Sequence, residues 1–219
     1  MQSQVDNKQV DSGAGSNQSQ GFLPCWSCRG PFQVGDLFCP TCEAMLPPGQ
    51  RNHFDRLGLE VAYDIDMAAL DRAYFDLQRR LHPDRFATRT PRERALSQQQ
   101  ATSINEAYET LKDSLKRADY LVHLKGVKVF TEGCNQINDP VILMEAMELR
   151  EELAETDAPE DVDRIAKATQ DDIEDCEIGM SLAFKGGDLE GACSLITRLK
   201  FLRKLADEVR AHRAKLGKA

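Results

Sequence analysis

The amino-acid sequence predicts a mainly all-α protein with one small tetracysteine metal ribbon near its N-terminal end. Three observations carry this expectation. Apolar residues recur at helical spacing from His53 onward. Four cysteines stand as two matched pairs, Cys25-x2-Cys28 and Cys39-x2-Cys42. Outside that cluster no stretch alternates apolar and polar residues as a half-buried strand would. The expected organisation is a disordered tail over 1–20, a tetracysteine metal-binding module with its linker over 21–50, a helical-hairpin domain over 51–126, a linker over 127–138 and an antiparallel three-helix bundle over 139–219.

The 219 residues carry 36 carboxylates against 28 Lys and Arg, a net charge of −8. That balance disfavours nucleic acid and anionic membranes, which attract positive surfaces, and leaves proteins as the expected partners. No apolar run nears the ~18 residues needed to span a bilayer. Met1–Gln20 is rich in Gln, Ser, Asn and Gly. It has neither the apolar stretch of a secretory signal nor the Arg-rich character of a presequence. An intracellular chain is expected, with its seven cysteines serving as metal ligands or free thiols instead of a disulfide framework.

In the cysteine module, ten residues separate the two pairs. Four thiolates in tetrahedral array suit one zinc ion, or iron in a rubredoxin-like site. Phe22, Trp26, Phe32 and Phe38 are placed to pack around a core too small to stand without the metal. A redox dithiol needs one such pair, not two matched ones. A nucleic-acid ribbon is disfavoured because Arg29 is the only basic residue between Cys25 and Cys42. Leu46-Pro47-Pro48-Gly49 reads as the closing linker. Cys134 and Cys193 are scattered. Cys176 falls on a helical stripe as a small buried hydrophobe.

The first strong helix is expected over Asp66–Leu81, where Met67, Leu70, Tyr74, Leu77 and Leu81 repeat at 3, 4, 3, 4. Asp64 or Asp66 caps it and Pro83 stops it. A second opens at Thr90-Pro91-Arg92-Glu93, a capping box, and runs through Leu96, Ile104, Tyr108, Leu111 and Leu115. A shorter helical stretch carries Tyr120, Leu121 and Leu124 to Gly126. The bundle begins at Asp139-Pro140, turns at Thr156–Pro159 and turns again at Gly186-Gly187-Asp188. Its second helix points Val162, Ile165, Thr169, Ile173, Cys176 and Met180 inward. Its third uses Ala192, Leu195, Leu199, Leu202, Ala206 and Val209.

Between the two long N-terminal helices lies His82-Pro83-Asp84, a proline-stiffened loop that projects an imidazole and a carboxylate together. Its flanks are Phe54-Asp55-Arg56-Leu57-Gly58-Leu59, then Ile104-Asn105-Glu106-Ala107-Tyr108-Glu109-Thr110-Leu111 and Lys116-Arg117-Ala118-Asp119-Tyr120. Together these segments resemble a J-domain over about His53 to Leu124. The resemblance implies docking of His82, Pro83 and Asp84 at the junction of a partner chaperone's ATPase domain and linker. Asp84 would pair with an arginine there and bias the partner toward hydrolysis and a closed state, a population shift with no bond made by this chain. Arg79, Arg80 and Arg85 would support docking. The usual basic face is interrupted here, since Asp71 and Asp76 interleave with Arg72, Arg79 and Arg80.

At about 100° per residue, Ile142, Ala146, Leu149 and Leu153 share one stripe of the first bundle helix, while Leu143, Met144 and Met147 fall opposite, beside Glu148, Glu151 and Glu155. On the third helix Phe201 lies well off the inward stripe. A second apolar patch rimmed by charge marks either a contact with another protein or packing against the helical hairpin or a second copy of the chain. Leu143-Met144-Glu145-Ala146-Met147-Glu148-Leu149-Arg150-Glu151-Glu152-Leu153 and Arg198-Leu199-Lys200-Phe201-Leu202-Arg203-Lys204-Leu205 resemble the C-terminal domain of the HscB family of iron–sulfur co-chaperones. That resemblance implies an HscA/DnaK-type ATPase and an IscU-type scaffold as partners. It puts the scaffold site at Leu143, Met144, Met147, Glu148, Glu151, Glu155 and Phe201. The tetracysteine module occurs in some members only.

The alternative is a general J-domain protein that holds unfolded clients. A metal-ribbon regulator of transcription is disfavoured by net charge. No residues stand as nucleophile and base, so an ATPase activator without its own catalysis is expected. The expected location is a bacterial cytoplasm, or alternatively a mitochondrial matrix.

Overall fold

The computed structural model describes residues 22–125, 140–156 and 158–216, without the side chains of residues 141–143 and 146. The tail expected over 1–20, the linker expected over 127–138 and Cys134 lie outside the described residues. The chain divides into two compact units, Met1–Gly49 and Gln50–Ala219. As expected, one is a small ribbon and the other is built of helices.

In the small unit, β1 (Leu23–Pro24) pairs antiparallel with β2 (Pro31–Phe32), and an isolated bridge joins Phe38 to Met45. Each cysteine pair sits in the tight turn of one such hairpin. The two turns repeat one hydrogen-bond plan. The Cys25 amide donates to Gly30 O and the Arg29 amide to Cys25 O; likewise the Cys39 amide donates to Ala44 O and the Glu43 amide to Cys39 O. Arg29 and Glu43 take positive φ, 65° and 59°, at equivalent places after the second cysteine of each pair. Gly30 is required for space, because a Cβ there would lie 2.7 Å from Thr41 Oγ1.

Cys25, Phe32, Cys39, Ala44 and Leu46 form the buried cluster, with Trp26 packed against it. Two expectations need correction. Phe22 is largely exposed, because it precedes the hairpin instead of folding over it. Leu46 is wholly buried and its amide donates to Leu37 O, so it closes the core instead of opening a linker.

The helical unit begins with a short helix that periodicity does not reveal, α1 (His53–Leu57), capped by Asn52 and ended by Gly58 in the left-handed region. Then come α2 (Met67–Leu81), α3 (Pro91–Lys112) and α4 (Ser114–Leu124). Asp66 caps α2 by accepting from the Ala68 amide at 2.8 Å. Thr90 and Glu93 complete the capping box of α3. The helix expected to run on through Leu115 breaks at Asp113. That carboxylate accepts from the Lys116 amide at 2.9 Å and starts α4 instead. Phe54, Leu57, Leu70, Leu81, Ile104, Leu111 and Leu121 fill the core of these four helices, whereas Met67 at the first position of α2 is partly exposed.

The remaining helices are α5 (Pro140–Glu155), α6 (Pro159–Gly186) and α7 (Leu189–Leu216). Gly187 ends α6 with φ 73°, a left-handed value that suits glycine. Val162, Ile165, Thr169, Cys176 and Met180 are buried along α6 as expected, but Ile173 is only half-buried. On α7 the buried stripe includes Cys193, Ile196 and Leu205, while Leu195 and Ala206 are only half-buried. The stripe is rotated because α7 packs against α4 as well as α5 and α6. Cys193 is disulfide-bonded, which corrects the expectation that every cysteine is a metal ligand or a free thiol. No described helix is long and apolar enough to cross a membrane.

The junction of the two helical groups is ionic and partly dry. Arg203 of α7 grips both carboxylate oxygens of Asp113, at 2.9 and 2.7 Å, and donates to Ser114 Oγ at 2.7 Å. Ser114 in turn donates to Glu177 of α6 at 2.5 Å. Beside them Tyr63 stacks on Phe184 at 5.3 Å, and Lys185 meets Asp64 at 2.6 Å. Arg117, buried, donates to Tyr63 O at 2.7 Å and to Leu111 O, with its guanidinium over the Tyr63 ring.

Burial pushes the Asp113 carboxyl up, but the Lys116 amide and Arg203 outweigh it and hold it below its ordinary value. The Lys185 ammonium and the Ser181 hydroxyl likewise hold Asp64 down. Carboxyls depressed on folding stabilise the fold above their ordinary range, and that contribution disappears as pH falls through the folded values. Arg203→Ala is expected to lower stability by about 2 kcal/mol at neutral pH. Its thermal melts should also decline less steeply than the parent's between neutral pH and about pH 3.

Candidate functional site

Three places gather the residues singled out in the sequence. The first is the turn between α2 and α3. The α2 carbonyl at Leu81 is fixed by the buried Ser97 hydroxyl, which donates to it at 2.8 Å. This settles where the helix ends and the chain turns outward. His82 then leaves helical geometry at φ −56°, ψ 130°, the extended region that a residue before proline prefers. Pro83–Phe86 forms a single 3-10 turn, closed by the Arg85 amide on His82 O at 3.0 Å.

Within that turn the Asp84 amide donates to His82 Nδ1 at 3.3 Å. The neutral imidazole therefore carries its proton on Nε2 and offers it outward. The Asp84 carboxylate is 91% exposed and lies 3.6 Å from Nδ1. Arg85 donates to Arg79 O at 3.0 Å, which ties the turn to the last turn of α2. Arg79 pairs with Asp76 at 2.8 Å, and Arg80 is exposed on the same turn. Asp71 does not interrupt a basic face: it accepts from the Tyr108 hydroxyl at 2.8 Å, inside the α2–α3 packing.

The second place is α5 with the facing part of α7. Met144 and Met147 are 63% and 60% exposed, and Glu148, Glu151 and Glu155 are placed along the same helix, all three exposed. The Leu143 side chain lies outside what is described. Phe201 is half-buried and lines a hollow of about 350 Å³ with Glu148, Leu149, Arg198, Leu202 and Leu205. Met144, Met147, Glu151 and Glu155 stand outside this hollow. Leu153 is buried against Val162, Ile165, Leu205 and Val209, so α5 turns one face inward and the methionines outward.

The third is the cysteine cluster. The Sγ atoms of Cys25, Cys28, Cys39 and Cys42 all lie within 4.8 Å of one another. Cys25 and Cys42 are 3.8 Å apart and Cys28 and Cys39 are 3.7 Å apart. A tetrahedron of sulfurs around an ion at about 2.3 Å has an edge of about 3.8 Å. A disulfide would need about 2.05 Å. The amides of Ser27 and Gly30 donate to Cys25 Sγ and Cys28 Sγ, each at 3.3 Å, and stabilise thiolate charge. Burial pushes the Cys39 thiol up, but the amides of Cys42 and Thr41 prevail and bring it down to about 6. The Gly30 amide pulls Cys28 down, yet the Cys42 thiol, burial and the other thiols push it up to about 12. The donor set and spacing fit one tetrahedral metal ion.

Residues 52–120 match the family described as DnaJ domain, and residues 138–210 match the family described as HSCB C-terminal oligomerisation domain. The iron–sulfur cluster co-chaperone protein HscB of Homo sapiens is 32% identical over 204 residues, covering 90% of this chain and 85% of its own. The chain belongs to the HscB co-chaperone family. Within that family, the co-chaperone protein HscB homolog of Vibrio cholerae is 38% identical over 162 residues, covering 72% of this chain and 94% of its own. The crystal structure of human HscB superimposes with a TM-score of 0.79 at 30% identity, covering 85% of this chain and 96% of that one. The helical hairpin with its tripeptide is thus the J-domain of an HscB-type co-chaperone.

Sequence reasoning missed Ser97, a buried polar residue of α3 whose role depends on a carbonyl 16 residues away. It also missed the hollow beside Phe201, which exists only once α5 lies on α7. Trp26 is the only tryptophan of the chain, and its indole donates to Met45 O at 2.7 Å. Stripping the metal with a strong chelator, or Cys39→Ser, is therefore expected to shift Trp26 emission to the red. Far-UV circular dichroism of the helices should stay unchanged. Loss of both signals together would contradict a metal-dependent module.

Proposed function

We propose that this chain stimulates the ATPase of an HscA/DnaK-type chaperone and brings it an IscU-type scaffold for iron–sulfur cluster assembly or transfer. The observation that carries this reading is the exposed pair of His82 and Asp84, presented by a capped 3-10 turn in an HscB-family J-domain. His82, Pro83 and Asp84 dock on the ATPase, with Arg79, Arg80 and Arg85 assisting. Asp84, almost fully in solvent, exchanges water for an arginine of the partner. A charge-assisted pair formed only with the hydrolysis-competent state of the ATPase shifts its population toward that state.

Leu143, Met144, Met147, Glu148, Glu151, Glu155 and Phe201 form the proposed scaffold face. Methionines adapt their shape to a partner, and glutamates at the rim set register. The patch is small and acid-rimmed, which suits one folded client better than a broad groove for unfolded chains. Zinc is the proposed metal: it has no redox chemistry and favours a closed tetrahedral sulfur shell. The proposed setting is a bacterial cytoplasm, with a mitochondrial matrix as the alternative.

Asp84→Asn is expected to abolish stimulation in a steady-state ATPase assay and to leave scaffold affinity unchanged by calorimetry. Replacing Met144, Met147 and Phe201 together by Ala should weaken scaffold binding at least tenfold and spare basal stimulation. A well-folded variant of either kind that damaged both activities would contradict this division of labour.

A further inference from the structure

Phe75 on α2 is 55% exposed, with its ring edge-on to Tyr74 at 5.2 Å. A lone exposed aromatic is ordinary, but this one has a particular setting. Phe75, Gln78, Arg79, His82 and Arg85 line one shallow hollow. The first four stand at i, i+3, i+4 and i+7, so the stripe leads along α2 directly into the tripeptide. Around it the chain reverses its charge. Arg72–Arg94 holds seven arginines and three carboxylates, in a protein whose net charge is −8. One of those carboxylates, Asp76, already pairs with Arg79, and another, Glu93, belongs to the capping box.

We infer that Phe75 is the apolar anchor of the ATPase-facing surface, seated against an aliphatic side chain that partner carboxylates surround. The inference rests on the proposed co-chaperone role and adds what the tripeptide lacks. A docking face of arginines alone is weakened by salt, because exposed charges are screened over about 8 Å at physiological ionic strength. Arg79 is further discounted by its own bridge to Asp76. Burial of an aromatic ring is indifferent to screening, so Phe75 holds the complex where the charges only steer it. The positive island selects an acidic partner surface; the ring requires an apolar spot within it.

The test is a titration of the full chain against an HscA/DnaK-type ATPase, at about 50 and about 300 mM salt. Phe75→Ala should raise the half-maximal concentration about tenfold at both salts with the plateau unchanged, and Phe75→Leu should recover most of the loss. Arg80→Gln should give a shift that shrinks at the higher salt. Circular dichroism and sedimentation equilibrium accompany each variant. If Asp84→Asn abolishes stimulation but Phe75→Ala titrates like the parent, Phe75 has no docking role and the inference fails. It fails likewise if Phe75→Ala changes the oligomeric mass and not the titration, since the ring would then face a second copy. If Asp84→Asn has no effect, the co-chaperone reading itself is overturned.

Discussion

The grip of Arg203 on Asp113 is the contact on which the rest of the helical unit depends. Asp113 does two jobs at once. Its side chain caps α4, which is why the long helix expected from periodicity breaks there, and both its oxygens also accept from Arg203 Nη1 of α7. Breaking the helix at that point lets α4 fold back along α7. Ser114 and Glu177 extend the same network to α6. A charged group left unpaired at such a junction is strongly unfavourable, so the network holds one arrangement instead of several.

Buried beside it, Arg117 ties the Tyr63 carbonyl to the end of α3, and Tyr63 stacks on Phe184 of α6. The loop before α2 is thus fixed to the bundle, and the end of α2 is fixed by Ser97. The tripeptide turn inherits this order. If the proposed ATPase and scaffold both bind, a rigid body converts the position of one partner into a position for the other. The metal ribbon follows a different logic: four sulfurs and a few apolar residues make a core too small to persist without an ion.

Much of this was legible in the sequence wherever a signal is local. The Asp66 cap, the Thr90–Glu93 capping box, the stop at Pro83 and the left-handed Gly187 each depend on a few neighbouring residues. So does the pairing of the four cysteines, whose spacing alone implies the cluster. The outward methionines of α5 followed from helical geometry because that helix has one inward face. What stayed hidden depends on tertiary partners. Ile196 and Leu205 fall off the stripe that periodicity predicts, because α7 faces α4 as well as the bundle. Leu46 stands beside two prolines as a linker residue would, yet it fills the ribbon core. Arg117 carries a charge that periodicity would place in water, and only carbonyls from Tyr63 and Leu111 explain its burial.

The most direct test of this account is whether the J-domain and the bundle behave as one body in solution. Residual dipolar couplings of backbone amides from Gln50–Lys125 and Pro140–Leu216, measured on the intact chain, report their relative orientation without any mutation. A single alignment tensor that fits both sets is the result predicted from the Arg203–Asp113 network. Two distinct tensors, or couplings of the bundle averaged toward zero against those of the J-domain, would contradict it.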